Sequence, residues 1–152
     1  MRRHLTLLAC LLTTAAIAIP PYDQAADAWT ELHQALIAAK TRKLPVLLVF
    51  GANWCEDCRA LDLALKSGTN AELISREFKV VKVDVGRFNR NLDLAAAYGN
   101  PIAKGIPAVV VLSPANQVLY ATRAGELADA RRMSENGIYD FFTAVARSAR
   151  TR

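Results

Sequence analysis

Cysteine and histidine are scarce here, with three and two copies among 152 residues. That scarcity argues against metal chemistry, because a zinc ion usually takes four ligands. Two of these five, His4 and Cys10, fall in a stretch that reads as a removable leader. Cys55, Cys58 and a distant His33 remain, so no metal and no other cofactor is expected. His33 reads as a surface residue of a helix. Basic residues form no stripe interleaved with aromatics: Arg131-Arg132 and the terminal Arg147, Arg150 and Arg152 read as isolated solvated points, so nucleic acid is not an expected partner. The formal charge of +5 makes no such demand either. Leu5 to Ile17, mostly apolar, is shorter than the roughly 20 residues that span a bilayer. Internal repeats and low-complexity segments are missing too.

The beginning of the chain has the make-up of an export signal. Arg2, Arg3 and His4 are basic, the apolar stretch follows, and Ala16-Ile17-Ala18 matches a small-x-small cleavage site. Residues 1–18 are therefore expected to be a signal peptide and 19–152 one exported domain, for which 53% hydrophobic and 22% charged residues are an ordinary composition. Leu7-Leu8-Ala9-Cys10 also matches a lipoprotein acceptor box, but only five residues separate His4 from Cys10. Cleavage after Ala18 would leave two cysteines.

Those two lie in Trp54-Cys55-Glu56-Asp57-Cys58, between the apolar run Val46-Leu47-Leu48-Val49-Phe50 and the helix-patterned Arg59 to Leu65. A strand that ends in a short loop and turns into a helix puts Cys55 at the helix N-terminus, where unpaired N–H groups and the macrodipole favour a thiolate. Cys58 then lies one turn on, on the same face. Two such sulfurs close a small disulfide and reopen it by exchange, the first attacking and the second resolving the mixed disulfide. Both are expected to face solvent. A loop this small adds little chain-entropy stabilisation, which favours a redox role over a structural bridge.

Around this motif the patterning predicts helix, strand, helix, strand, helix, hairpin, helix. Asp23 is expected to cap a first helix running to about Lys40, with Ala25, Trp29, Leu32 and Leu36 as its inner face. The helix after Cys58 is expected to stop at Gly68, and Asn70 to cap a short helix carrying Leu73, Ile74 and Phe78. Val80 to Val85 reads as a strand, Asn89 to Tyr98 as a helix, and Ala108 to Leu112 and Gln117 to Thr122 as a hairpin. Ile138, Phe141, Phe142 and Val145 mark the last helix. Strands separated by helices imply parallel pairing, and the hairpin an antiparallel edge. The expected fold is α/β, a mixed sheet of about four strands with helices on both faces.

Two separated motifs make Asp23 to Arg147 resemble the thioredoxin superfamily, specifically exported bacterial thioredoxin-like proteins and the C-terminal domain of the thiol:disulfide interchange reductase. One is Trp54-Cys55-Glu56-Asp57-Cys58; the other is Gly105-Ile106-Pro107. From the second motif alone, a cis and a trans proline are equally plausible. The resemblance implies a three-layer thioredoxin-like sandwich, a cis Ile106–Pro107 peptide beside the cysteines, and a backbone there that pairs with a substrate strand. It also implies Cys55 and Cys58 as catalytic residues, Trp54, Ile106 and Pro107 as substrate-binding residues, and a periplasmic location. Protein thiols and disulfides and a membrane or periplasmic electron donor are the implied partners.

Two departures from that family stand out. Val49 occupies the place of a buried aspartate, so the family's lysine, matched by Lys82, is expected to be partly exposed or to pair with Glu56 or Asp57. Glu56 and Asp57 replace the frequent Gly-Pro. Two carboxylates raise a nearby thiol's pKa, which points toward a reductant or exchanger and away from a strong oxidase. The rival reading is a client-binding or metal-delivery module in which the cysteine pair is a redox latch.

Overall fold

The computed structural model describes residues 19–151. The expected signal peptide, Cys10 included, lies outside the described residues. In chain order the described residues form α1 (Ala28–Arg42), β1 (Val46–Gly51), α2 (Glu56–Leu65), α3 (Gly68–Glu77), β2 (Lys79–Asp84), α4 (Leu92–Ala97), β3 (Ala108–Leu112), β4 (Val118–Ala121) and α5 (Glu135–Arg150). Short 3-10 turns occur at Pro101–Lys104 and Ala130–Arg132.

The strands form one sheet in the order β2-β1-β3-β4. Central β1 is buried at all six positions, which explains why it reads as an unbroken apolar run. Its alternate side chains serve two cores. Val46, Leu48 and Phe50 pack with Leu32 and Ala39 of α1 and Leu94 of α4. Leu47 and Val49 pack with Leu61 of α2, Leu73 of α3 and Phe142 of α5. Each fully buried Leu or Phe contributes about 1.5–3 kcal/mol. The outcome is a mixed four-stranded sheet between two helical layers, the thioredoxin-like α/β sandwich.

Parallel pairing holds for β1 and β2 but not for β3, which runs antiparallel to β1. The register gives the reason. β2 ends with Asp84 beside Gly51, and β3 starts with Ala108 beside Phe50, so residues 85–107 return to the end of the sheet they left. A connection that does not cross the sheet reverses the strand direction.

Local side-chain contacts correct several expected boundaries. Asp27, not Asp23, caps α1 by accepting from the Thr30 N–H at 2.9 Å, while Asp23 closes a tight turn onto the Ala25 N–H at 2.8 Å. The inner face of α1 is Ala28, Leu32, Ala35 and Ala39. Trp29 stays 44% exposed, its indole N–H donating to Asp93 of α4 at 2.7 Å. Gly68 is a joint, not a stop: α2 ends at Leu65, and Gly68, at φ +50°, opens α3. Asn70 caps nothing; it is buried within α3, and its Nδ2 donates to the Glu135 carbonyl at the start of α5 at 3.3 Å. The helix expected over 89–98 shrinks to α4 because the Asn89 side chain accepts from the Arg87 N–H at 3.0 Å, a local turn that competes with helix.

Candidate active site

β1 delivers the chain to one end of the sheet, and a tight turn, Cys55 N–H to Ala52 carbonyl at 3.1 Å, swings it into α2. Cys55 is the N-cap of that helix, with extended backbone, and its Sγ accepts from the Cys58 N–H at 3.2 Å. The sulfur thus occupies the position where a cap oxygen usually sits, at the positive end of the helix. Cys55 and Cys58 form a disulfide, with Cα atoms 5.2 Å apart. Exposure separates the two sulfurs, correcting the expectation that both face solvent. Cys58 is fully buried, and Cys55 keeps 6% exposure, opening onto a depression lined by Trp54, Phe88, Ile106 and Arg131.

The peptide bond between Ile106 and Pro107 is cis. The Ile106 carbonyl oxygen lies 3.7 Å from Cys55 Sγ, so this bend and the disulfide form one surface. Trp54 stands at its rim, 45% exposed. Its indole N–H donates to the Gly86 carbonyl at 2.7 Å, its ring meets Phe88 edge-on at 6.3 Å, and the Arg87 guanidinium lies 5.7 Å from the ring centre.

Glu56 and Asp57 have a counter-charge that the sequence reading missed. Arg131, read there as a solvated surface point, pairs with Glu56 and places Nε 3.7 Å from Asp57 Oδ1, while its backbone N–H donates to the same oxygen at 3.0 Å. The acidic pair is therefore partly neutralised beside Cys55, which weakens the inference drawn from it about redox direction.

Lys82 pairs with neither Glu56 nor Asp57. Its Nζ lies 2.8 Å from Asp62 Oδ1, and Lys66 takes the other oxygen at 2.8 Å. Val49, beside Lys82 in the β1–β2 register, offers no charge, so α2 supplies the carboxylate from its own buried side. Burial works to raise the Asp62 pKa, but the hydrogen bonds from Lys66 and Lys82 outweigh it and hold this carboxyl below its ordinary value. Burial pushes the Lys82 ammonium below the usual lysine value despite Asp62.

Three more groups escaped the sequence reading. Tyr22, from the segment before α1, is fully buried, with the Lys82 ammonium 5.3 Å from its ring centre. Asn53 clamps that segment to the cysteine loop, accepting from the Tyr22 N–H at 3.0 Å and donating to the Tyr22 carbonyl at 2.8 Å. Asp84, at the end of β2, is 3% exposed, with Arg90 Nε 3.5 Å from its Oδ2. Asp84 follows the β-branched run directly, and a charge closing a buried strand was the available signal. Tyr22 and Asn53 carried none, lying 31 residues apart.

A thioredoxin-like family model matches residues 28–114. Comparison with curated proteins gives no match. Among solved structures, a disulphide isomerase from Xylella fastidiosa Temecula1 is 57% identical, with 86% of this chain and 98% of that one covered and a TM-score of 0.82. The C-terminal domain of DsbD from Neisseria meningitidis in the oxidised form shares the fold at 20% identity, with 78% and 96% covered and a TM-score of 0.53. A thioredoxin from Thermus thermophilus does so at 19% identity, with 76% and 81% covered and a TM-score of 0.54. The chain belongs to the thioredoxin-like family and is a disulfide oxidoreductase that carries a Cys55–Cys58 disulfide.

Proposed function

We propose that this is an exported oxidoreductase that reduces or exchanges disulfides of periplasmic proteins. The observation that carries it is the Cys55–Cys58 disulfide at the α2 N-terminus, with only Cys55 reachable and the Ile106 carbonyl 3.7 Å from its sulfur. In the reduced protein Cys55 attacks, as thiolate, one sulfur of a substrate disulfide. That S–S bond breaks, and its electron pair leaves on the other substrate sulfur, which takes up a proton. Cys58, deprotonated in turn, attacks Cys55 Sγ, closing the disulfide and releasing the second substrate sulfur as a thiol. Two electrons and two protons pass from dithiol to substrate, and a membrane or periplasmic dithiol donor restores them.

Trp54 and the Ile106–Pro107 bend hold the substrate segment, the first as an apolar rim and the second through exposed backbone. Glu56 and Asp57, balanced by Arg131, tune the Cys55 thiol from outside, and Lys82 acts from the buried side. The 57%-identical relative is described as a disulphide isomerase, which supports exchange as part of the activity. Residues 1–18 act as the export signal, and the basic start, apolar stretch and Ala16-Ile17-Ala18 support that reading. In an insulin disulfide-reduction assay, Cys55→Ser abolishes turnover, and Cys58→Ser accumulates a mixed disulfide. Full turnover by both variants overturns the reading.

A further inference from the structure

One buried group near the disulfide has no task in the mechanism above. Tyr22 is fully buried, and its Oη has no hydrogen-bond partner among the described residues. A buried hydroxyl without a partner costs free energy, so the arrangement calls for an explanation. Its neighbourhood offers one. A β-carbon on Gly51 would sit within 3.0 Å of both Tyr22 Oη and Cys58 Sγ, so the two atoms are separated by no more than twice that distance, across the space left by the missing side chain. Asn53 fixes the backbone of Tyr22 to the cysteine loop through two hydrogen bonds.

We propose, building on the exchange mechanism above, that Tyr22 donates a hydrogen bond through Oη to the Cys58 thiolate when the disulfide opens, and so governs the resolving step. In the disulfide, Cys58 carries no charge and is a poor acceptor. Once it becomes a thiolate in a fully buried site, it needs a donor, and a phenol is a strong one. The hydroxyl keeps its proton throughout. Cys58 forms its bond to Cys55 Sγ, the Cys55–substrate bond breaks, and the proton lost by Cys58 leaves with the substrate sulfur as a thiol.

Burial and the nearby acids keep the phenol from ionising, against the pull of the Lys82 ammonium over its ring. Cys58 and Asp62 belong to α2; Lys82, over the ring, and Asp84 belong to β2; Arg90 follows as the partner of Asp84. Burial first, then the charges of Asp62 and Asp84, push the phenol well above its ordinary value.

The test is the acidity of Cys58, read by thiolate absorbance in a Cys55→Ser background, together with the rate of mixed-disulfide resolution in otherwise unaltered protein. Tyr22→Phe should lower the acidity of Cys58 about tenfold and slow resolution about tenfold at pH 7, with the first attack by Cys55 unchanged. Unaltered acidity and resolution overturn the proposal. Should that variant not fold, 3-fluorotyrosine at position 22 keeps the ring and strengthens the donor, so Cys58 must become more acidic; no change overturns it. The acidity of Cys58 is read without any protein substrate, so its failure to move is distinct from failure of the proposed function.

Discussion

Lys82 Nζ lies 2.8 Å from Asp62 Oδ1, tying the strand beside β1 to the helix that begins at the cysteines. The carboxylate comes from α2 because β1 presents Val49 opposite Lys82. The charge pair sits on the buried side of the redox helix, with the Tyr22 ring under the ammonium.

Asp62→Ala should destabilise the fold by about 3 kcal/mol, the low end for breaking a buried pair, because Lys82 keeps 20% side-chain exposure. Urea unfolding at pH 7 reads the loss.

The same pair predicts an acid limb in stability. The folded Asp62 pKa lies below the ordinary value of 3.8, so the folded state holds fewer protons there than the unfolded chain. Its stabilisation is fully present above that value and disappears as pH falls through the folded pKa. Unfolding midpoints from pH 7 to 2 should show this limb, and Asp62→Asn should flatten it.

Gly51→Ala should cost about 1–3 kcal/mol by overpacking. The new methyl would overlap the Tyr22 ring and press on Cys58 Sγ. Thermal unfolding checks it, with Ala52→Gly at the next position as a comparison.

Arg131→Ala removes the counter-charge of Glu56 and Asp57 beside Cys55. The Cys55 thiol pKa should rise and its alkylation at pH 7 slow about two- to fivefold, a modest effect because the pair is exposed. A less stable thiolate also makes the protein more reducing. Iodoacetamide kinetics against pH read the first effect.

Much of this architecture was legible in residues close together in sequence. Trp54 to Cys58, the buried run of β1 and the hairpin at Ser113 to Asn116 each carry a local signal, and the structure builds on all of them. What the sequence hid are pairings across long separations. Arg131 lies 74 residues from Asp57, and no local rule joins a basic residue in a polar loop to an acid between two cysteines. Asp62 reads as one polar position on an amphipathic helix; only the register of β2 against β1 makes it the partner of Lys82. Asn70 shows the converse, a good capping residue whose side chain a tertiary contact claims instead.

The exchange chemistry depends most on Cys55 being the sulfur that attacks. Partial alkylation of the reduced protein with iodoacetamide at pH 7, followed by peptide mass spectrometry, tests it directly. Modification should reach Cys55 first and leave Cys58 protected, because Cys55 alone has an opening and caps the helix. Equal labelling of the two, or Cys58 labelled first, would contradict it.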